Sequence, residues 1–121
     1  MTTAEIAKQL VALCSKGENQ KAMETLYSPN IVSVEAMEMN NMPRETKGIE
    51  AVGKKGAWWV SNHEIHSAKC MGPYVAEDKF AVIFEYDVTN KPSNKRMQMN
   101  EVAVYTVAGG KIVHEEFLYS M

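Results

Sequence analysis

No run in this chain is both long and apolar. The longest strongly apolar runs, Ala57–Val60 and Phe80–Phe84, fall far short of the ~20 residues a spanning helix needs. The chain starts with Glu5 and Lys8 inside its first turns, which does not fit a secretory leader. It also lacks a basic excess: 13 Lys and Arg stand against 15 Asp and Glu, for a net charge of −2. A phosphate-binding surface replaces counterions with clustered cations, so nucleic acid is not an expected partner, and neither is a membrane. Arginine is scarce, with only Arg44 and Arg96 available for bidentate phosphate recognition. Cysteine is scarce too. Cys14 and Cys70 show no Cys-x-x-Cys spacing, and they read as two isolated buried thiols in a reducing cytoplasm rather than as a disulfide. Glycine-rich phosphate loops, Gly-x-Ser-x-Gly and His-Glu-x-x-His are absent, which removes the usual nucleotide, serine-hydrolase and zinc-protease chemistries. No cofactor is implied.

What is present is an ordinary globular composition in a chain of 121 residues, 45% hydrophobic and 23% charged. That is the size of one domain, residues 1–121, with enough chain for a core. Nine methionines supply flexible, polarisable side chains suited to irregular apolar space.

The first half reads as helical. Thr2 and Glu5 have capping-box spacing, Ile6, Leu10, Leu13 and Cys14 recur at helical intervals, and Gly17 suits a left-handed end. A shorter helix runs from about Asn19, with Ala22, Met23 and Leu26 on one side, and Pro29 is expected to stop it. Ile31–Met39 changes to a β-branched strand, and residues 40–47 read as a polar loop. Gly48–Asn62 is a third helix with Ile49, Val52, Gly56, Trp59 and Val60 on one face, and Lys54-Lys55 are expected on its solvated side. Its Gly53 and Gly56 weaken the helix, a pattern expected where a helix approaches its neighbour closely. The second half alternates as strands: His63–Ala76, Lys79–Thr89, Arg96 to about Val107, then a turn at Ala108-Gly-Gly-Lys111 and Ile112–Tyr119. Helices first and a strand meander afterwards predict an α+β fold with helices on one face of a sheet.

Three segments carry a resemblance: ENQKAMETLYSPNIVSVE, GIEAVGKKGAWW and VAVYTVAGGKIVHEEF. In this order the chain resembles the nuclear transport factor 2-like superfamily, SnoaL-like branch, along nearly its whole length. The resemblance implies a cone: a curved, mainly antiparallel sheet wrapped around the three helices, with an internal apolar pocket and dimerisation through the outer sheet face. The residues agree with a homodimer. Phe80, Val82, Phe84, Tyr86 and Val88 share one face of a strand, and Ala81 and Ile83 leave the other partly apolar. Fold alone does not set function here. The resemblance admits a non-catalytic binder of a small apolar molecule, and also a proton-transfer enzyme of cyclase, isomerase or dehydratase type.

Glu35 stands where the resemblance implies a general-base carboxylate, with Met37, Met39 and Met42 as apolar neighbours. Burial would raise its pKa toward working pH. The alternation of Val32, Val34 and Ala36 gives the opposite orientation, with Glu35 turned to solvent. Glu101 is a second candidate, for which the resemblance implies a role as proton donor or oxyanion holder, with its neighbour Val102 competing for the same inward place. Leu10 occupies the place where isomerases of the superfamily carry an oxyanion-binding tyrosine, so Tyr27 is the available hydroxyl. Trp59 continues the apolar stripe of the third helix, Trp58 falls beside it, and Met97 and Met99 fill one strand face as further candidate wall. His66 shares a face with Glu64 and is a candidate ligand contact. His63 and His66 are three apart on a strand, so they point to opposite faces and do not share a metal ion.

Overall fold

A computed structural model describes residues 1–38 and 42–120. Nine elements follow one another: α1 (Thr3–Ser15), α2 (Asn19–Leu26), β1 (Tyr27–Val34), β2 (Glu45–Lys47), α3 (Ile49–Asn62), β3 (His63–Ala76), β4 (Lys79–Asn90), β5 (Lys95–Ala108) and β6 (Lys111–Leu118). The strands form one sheet in the order β2-β1-β6-β5-β4-β3. Among the described residues only the β1–β6 pair is parallel, and the other four pairs are antiparallel. The sheet is curved and not closed into a barrel, and with its three helices it is the expected α+β cone.

α1 begins with the capping box read from Thr2 and Glu5, each satisfying the other's backbone N–H. Ile6, Ala7 and Leu10 of its inner stripe are buried. They meet Phe80, Val82, Tyr105 and Ile112 from the inward face of the sheet in one core. That core fills one end of the cone and leaves the other end open between the helices and the sheet.

Four local expectations change. α2 ends at Leu26, and Pro29 lies inside β1 instead of terminating a helix. The β1–β6 register shifts between Tyr27 and Val32, so the missing proline N–H falls where the ladder is interrupted. β1 stops at Val34, short of the expected Met39, which itself lies outside the described residues. Within the expected polar loop, β2 adds an edge strand on β1, paired through Val32–Lys47 and Val34–Glu45. Finally, only one of the two helix glycines marks a close approach. A Cβ on Gly56 would come within 2.9 Å of the Met23 side chain, whereas one on Gly53 meets nothing within 4 Å.

Candidate functional site

The open end of the cone is a cavity of about 560 Å³. Leu10, Met23, Met37, Met42, Trp58, Trp59 and Phe84 give it apolar walls, and Glu35, Glu101, Glu115, Lys55, Tyr27 and Tyr105 bring polar atoms to it. Each polar residue is there for a local reason.

On β1, Ile31 and Ser33 are the fully buried residues and Val32 and Val34 are half-buried. The apolar alternation therefore pointed to the wrong face. Val32 and Val34 lie on the outer side of the sheet, between Lys47 and His114 and between Glu45 and Glu116. Glu35 continues the inward side just past the strand end. Its backbone is held there by an N–H donated to the Arg44 carbonyl at 2.8 Å and by the Arg44 Nε donating back to the Glu35 carbonyl at 3.1 Å. One carboxylate oxygen, Oε1, lies 3.9 Å from Lys55 Nζ; the other, Oε2, is buried with no partner.

Lys55 corrects the expectation of a solvated helix face. Lys54 does lie outside, in an ion pair with Glu50, but the Lys55 side chain is only 17% exposed. Lys55 follows Val52 by three residues and precedes Trp59 by four, so it belongs to the inner stripe. Its ammonium donates to Ser33 Oγ at 2.6 Å and stands over the Phe117 ring. Ser33 Oγ in turn donates to Glu115 Oε2 at 2.7 Å, and the Tyr27 hydroxyl donates to Glu115 Oε1.

Glu115, buried to 2% exposure, was not singled out by sequence. Strict alternation from Ile112 would put it outside, with His114 and Glu116 inward. The β5–β6 register instead pairs Thr106 with His114 but Val107 with Ile112, so Val113 is an extra residue. That bulge moves Glu115 onto the inner face. Lys55 had a legible signal, a charge on an apolar helical stripe; Glu115 had none.

Glu101 pairs with Phe84 in an unbroken β4–β5 ladder, and Val102 pairs with Ile83 on the outer side. The ladder thus turns Glu101 inward and settles the one-residue ambiguity. Burial, then the negative charges of Glu35 and Glu115, push its carboxyl up to about 7, with Lys55 pulling the other way. Among the described residues no hydrogen bond holds the charged form. Burial raises Glu35 too, against the pull of Lys55. It also raises Glu115, against the hydrogen bonds from Tyr27 and Ser33. Three carboxyl groups around one ammonium in a low-dielectric space do not all ionise together near neutral pH. Glu101 is among those pushed toward the neutral form.

Of the residues named from sequence, the cavity brings together Tyr27, Glu35, Met37, Trp58, Trp59 and Glu101. Trp59 is wall more than core: its ring stacks on His63 with centroids 4.3 Å apart, and Tyr86 tilts against it. Met97 and Met99 share the inward face of β5, opposite Val88 and Tyr86, yet lie beyond the cavity. His66 is also outside it. β3 carries an irregularity between Ile65 and Ser67, and His66 bonds the Thr89 hydroxyl at 2.7 Å on the exposed side. No helix among the described residues is long and apolar enough to cross a membrane.

This fold, with a cavity closed at one end by core and lined at the other by carboxylates, can be compared with known proteins. The profile of the SnoaL-like domain matches residues 1–119. The chain belongs to the SnoaL-like family. A candidate SnoaL-like polyketide cyclase from Mesorhizobium loti is 44% identical over 98% of this chain and 100% of its own, with a TM-score of 0.93. More distant structures share the SnoaL-like fold alone. A candidate isomerase from Bacillus subtilis is 16% identical over 99% of this chain and 90% of that one, TM-score 0.79. A protein of ketosteroid isomerase-like fold from Catenulispora acidiphila, solved with trimethylamine, is 21% identical over 99% and 88%, TM-score 0.73. No curated protein matches.

Proposed function

We propose that this SnoaL-like protein is a proton-transfer enzyme acting on a small, largely apolar organic molecule with an acidic C–H beside a carbonyl. Glu101 is its general base, and the Lys55 ammonium receives the charge that develops on the carbonyl oxygen. The observation that carries this reading is the Glu101 carboxyl, buried beside Glu35 and Glu115 and so pushed up to about 7, with no donor to it among the described residues, in the same apolar-walled cavity as a tethered ammonium. A base is most effective when its pKa lies near the working pH. Glu35, also a candidate, stands beside Lys55 and serves better to hold that ammonium than to take a proton.

In the first step the Glu101 carboxylate takes the C–H proton while the electron pair moves onto the carbonyl oxygen, giving an enolate opposite Lys55. Returning the proton to another carbon completes an isomerisation. Attack of the enolate carbon on a second carbonyl carbon of the same molecule moves that carbonyl's π pair onto its oxygen, and the proton held by Glu101 passes to this alkoxide, completing a cyclisation and restoring the base. The candidate polyketide cyclase from Mesorhizobium loti supports this class. The cavity's Met23, Met37, Met42, Trp58 and Trp59 support a second reading, a binder without chemistry. Free thiols and the absence of a membrane-crossing helix among the described residues fit a cytoplasmic protein.

The ring opening of 5-nitrobenzisoxazole, which needs only a base in an apolar site, tests the proposal. The rate should rise with pH through about 7 and fall roughly 10²-fold or more in Glu101→Gln. Lys55→Met should move the midpoint upward, because it removes the charge that favours ionised Glu101. An unaccelerated reaction, or one indifferent to Glu101→Gln, returns the cavity to the binding reading.

A further inference from the structure

The cavity holds more negative charge than positive. Glu35, Glu101 and Glu115 line it, and Lys55 is its one inward ammonium among the described residues. Lys69 also borders it, but pairs with Glu85 in the outward rows of β3 and β4. Lys55 shows how this wall holds a cation. Its ammonium stands 5.7 Å from the centre of the Phe117 ring and 3.9 Å from the Glu35 carboxylate.

A second place on the wall is built from the same parts. The β4–β5 register sets Glu101 opposite Phe84 and diagonal to Tyr86. Those two rings are nearly parallel with centroids 5.8 Å apart, and Trp59 tilts against Tyr86 at 5.4 Å. Glu101 has no donor among the described residues, and neither has the buried Oε2 of Glu35. Tyr105 lies on the same face of β5, is only 2% exposed and borders the cavity. Its hydroxyl likewise has no hydrogen-bond partner among the described residues.

We propose that this place binds a protonated primary amine with an apolar substituent, its ammonium held by the Glu101 carboxylate against the Phe84, Tyr86 and Trp59 rings. Ring faces attract a desolvated cation, and a carboxylate accepts a charge-assisted hydrogen bond from its N–H. A neutral molecule of the same shape fills the apolar walls but leaves these acceptors unmet. An anionic ligand meets three carboxyl groups, and a quaternary ion brings charge without N–H. Met23, Met37 and Met42 take the apolar substituent. The inference goes beyond the proton-transfer reading and does not rest on it. A bound amine occupies Glu101 and so blocks base catalysis there.

Calorimetric titration at about pH 8, where an alkylamine is protonated, compares 2-phenylethylamine with its neutral counterpart 2-phenylethanol. The amine should bind the wild type roughly tenfold more tightly or better. Glu101→Gln should erase that preference and leave the affinity for the alcohol unchanged. Tyr86→Leu should weaken the amine more than the alcohol, and benzyltrimethylammonium should bind the wild type more weakly than the amine. Equal affinity for amine and alcohol, no measurable amine binding, a preference that survives Glu101→Gln, or tighter binding of the quaternary ion would each overturn the proposal. The wild-type comparison decides even if a variant fails to fold, and it reads binding without any turnover.

Discussion

Glu101 is a residue whose charge the fold opposes, and that opposition is measurable as stability. Its carboxyl is raised from 4.5 to about 7 by burial and by Glu35 and Glu115. Between those values the folded chain keeps a proton that the unfolded chain releases. Stability therefore declines as pH rises through that window and stays lower above it. Replacing Glu101 with Gln removes the penalty. The variant should match the wild type at pH 4 and exceed it at pH 8 by about 3 kcal/mol in urea unfolding, a figure set by the size of the shift. Equal stability at both pH values would mean that Glu101 is solvated. Glu115 behaves differently, because Tyr27 and Ser33 both donate to it. Replacing Ser33 with Ala removes one of those donors and the link to Lys55. It should cost about 1–3 kcal/mol, the usual effect of leaving a buried acceptor unmet, read by the same unfolding curves.

At the scale of the element, α3 carries two glycines with different consequences. Gly53 has open space where a side chain would stand. Gly53→Ala should therefore stabilise the protein by about 0.5–1 kcal/mol, the propensity difference between the two residues in a helix. Gly56→Ala gains the same propensity but pushes against Met23, 2.9 Å from the new Cβ. The thioether end can move, and it moves within the cavity wall, so the variant should be close to neutral in thermal unfolding while shrinking the cavity. A larger loss in Gly53→Ala than in Gly56→Ala would contradict this packing. On the same helix, two adjacent lysines look solvated as a pair, yet at 100° apart only Lys54 reaches Glu50 and the solvent.

At the scale of the whole molecule, the sheet has an apolar outer face that the helices do not cover. Met71, Ile83, Val102 and Leu118 form one cross-strand row over β3, β4, β5 and β6, and Tyr74, Ala81 and Val104 form the next. Tyr74 is 61% exposed and Leu118 47%. A patch of this kind on a small chain is normally an interface, and its rows suit a second copy of the same face. Light scattering should give twice 13.6 kDa at micromolar concentration, and Val102→Lys should return the mass to 13.6 kDa. A wild-type mass of one chain would refute the homodimer.

The sequence by itself determined what depends on neighbours along the chain: the capping box of α1, the three helices, the four long strands of the meander and strand, and hence the α+β class. Helical and two-residue periodicities carry that information directly. Orientation at the site was decided elsewhere. Glu35 faces the cavity because it continues the inward phase of Ile31 and Ser33, while the valines between them lie outside beside charged neighbours. Glu101 faces it because the β4–β5 ladder runs without a slip from Lys79–Thr106 to Asn90–Lys95. Glu115 faces it because of one extra residue at Val113, and His66 stays outside because it alternates with Ile65, which faces inward opposite Val88. Bulges and register are properties of two strands together. They set which carboxyls share the low-dielectric space with Lys55, and only the tertiary structure determines them.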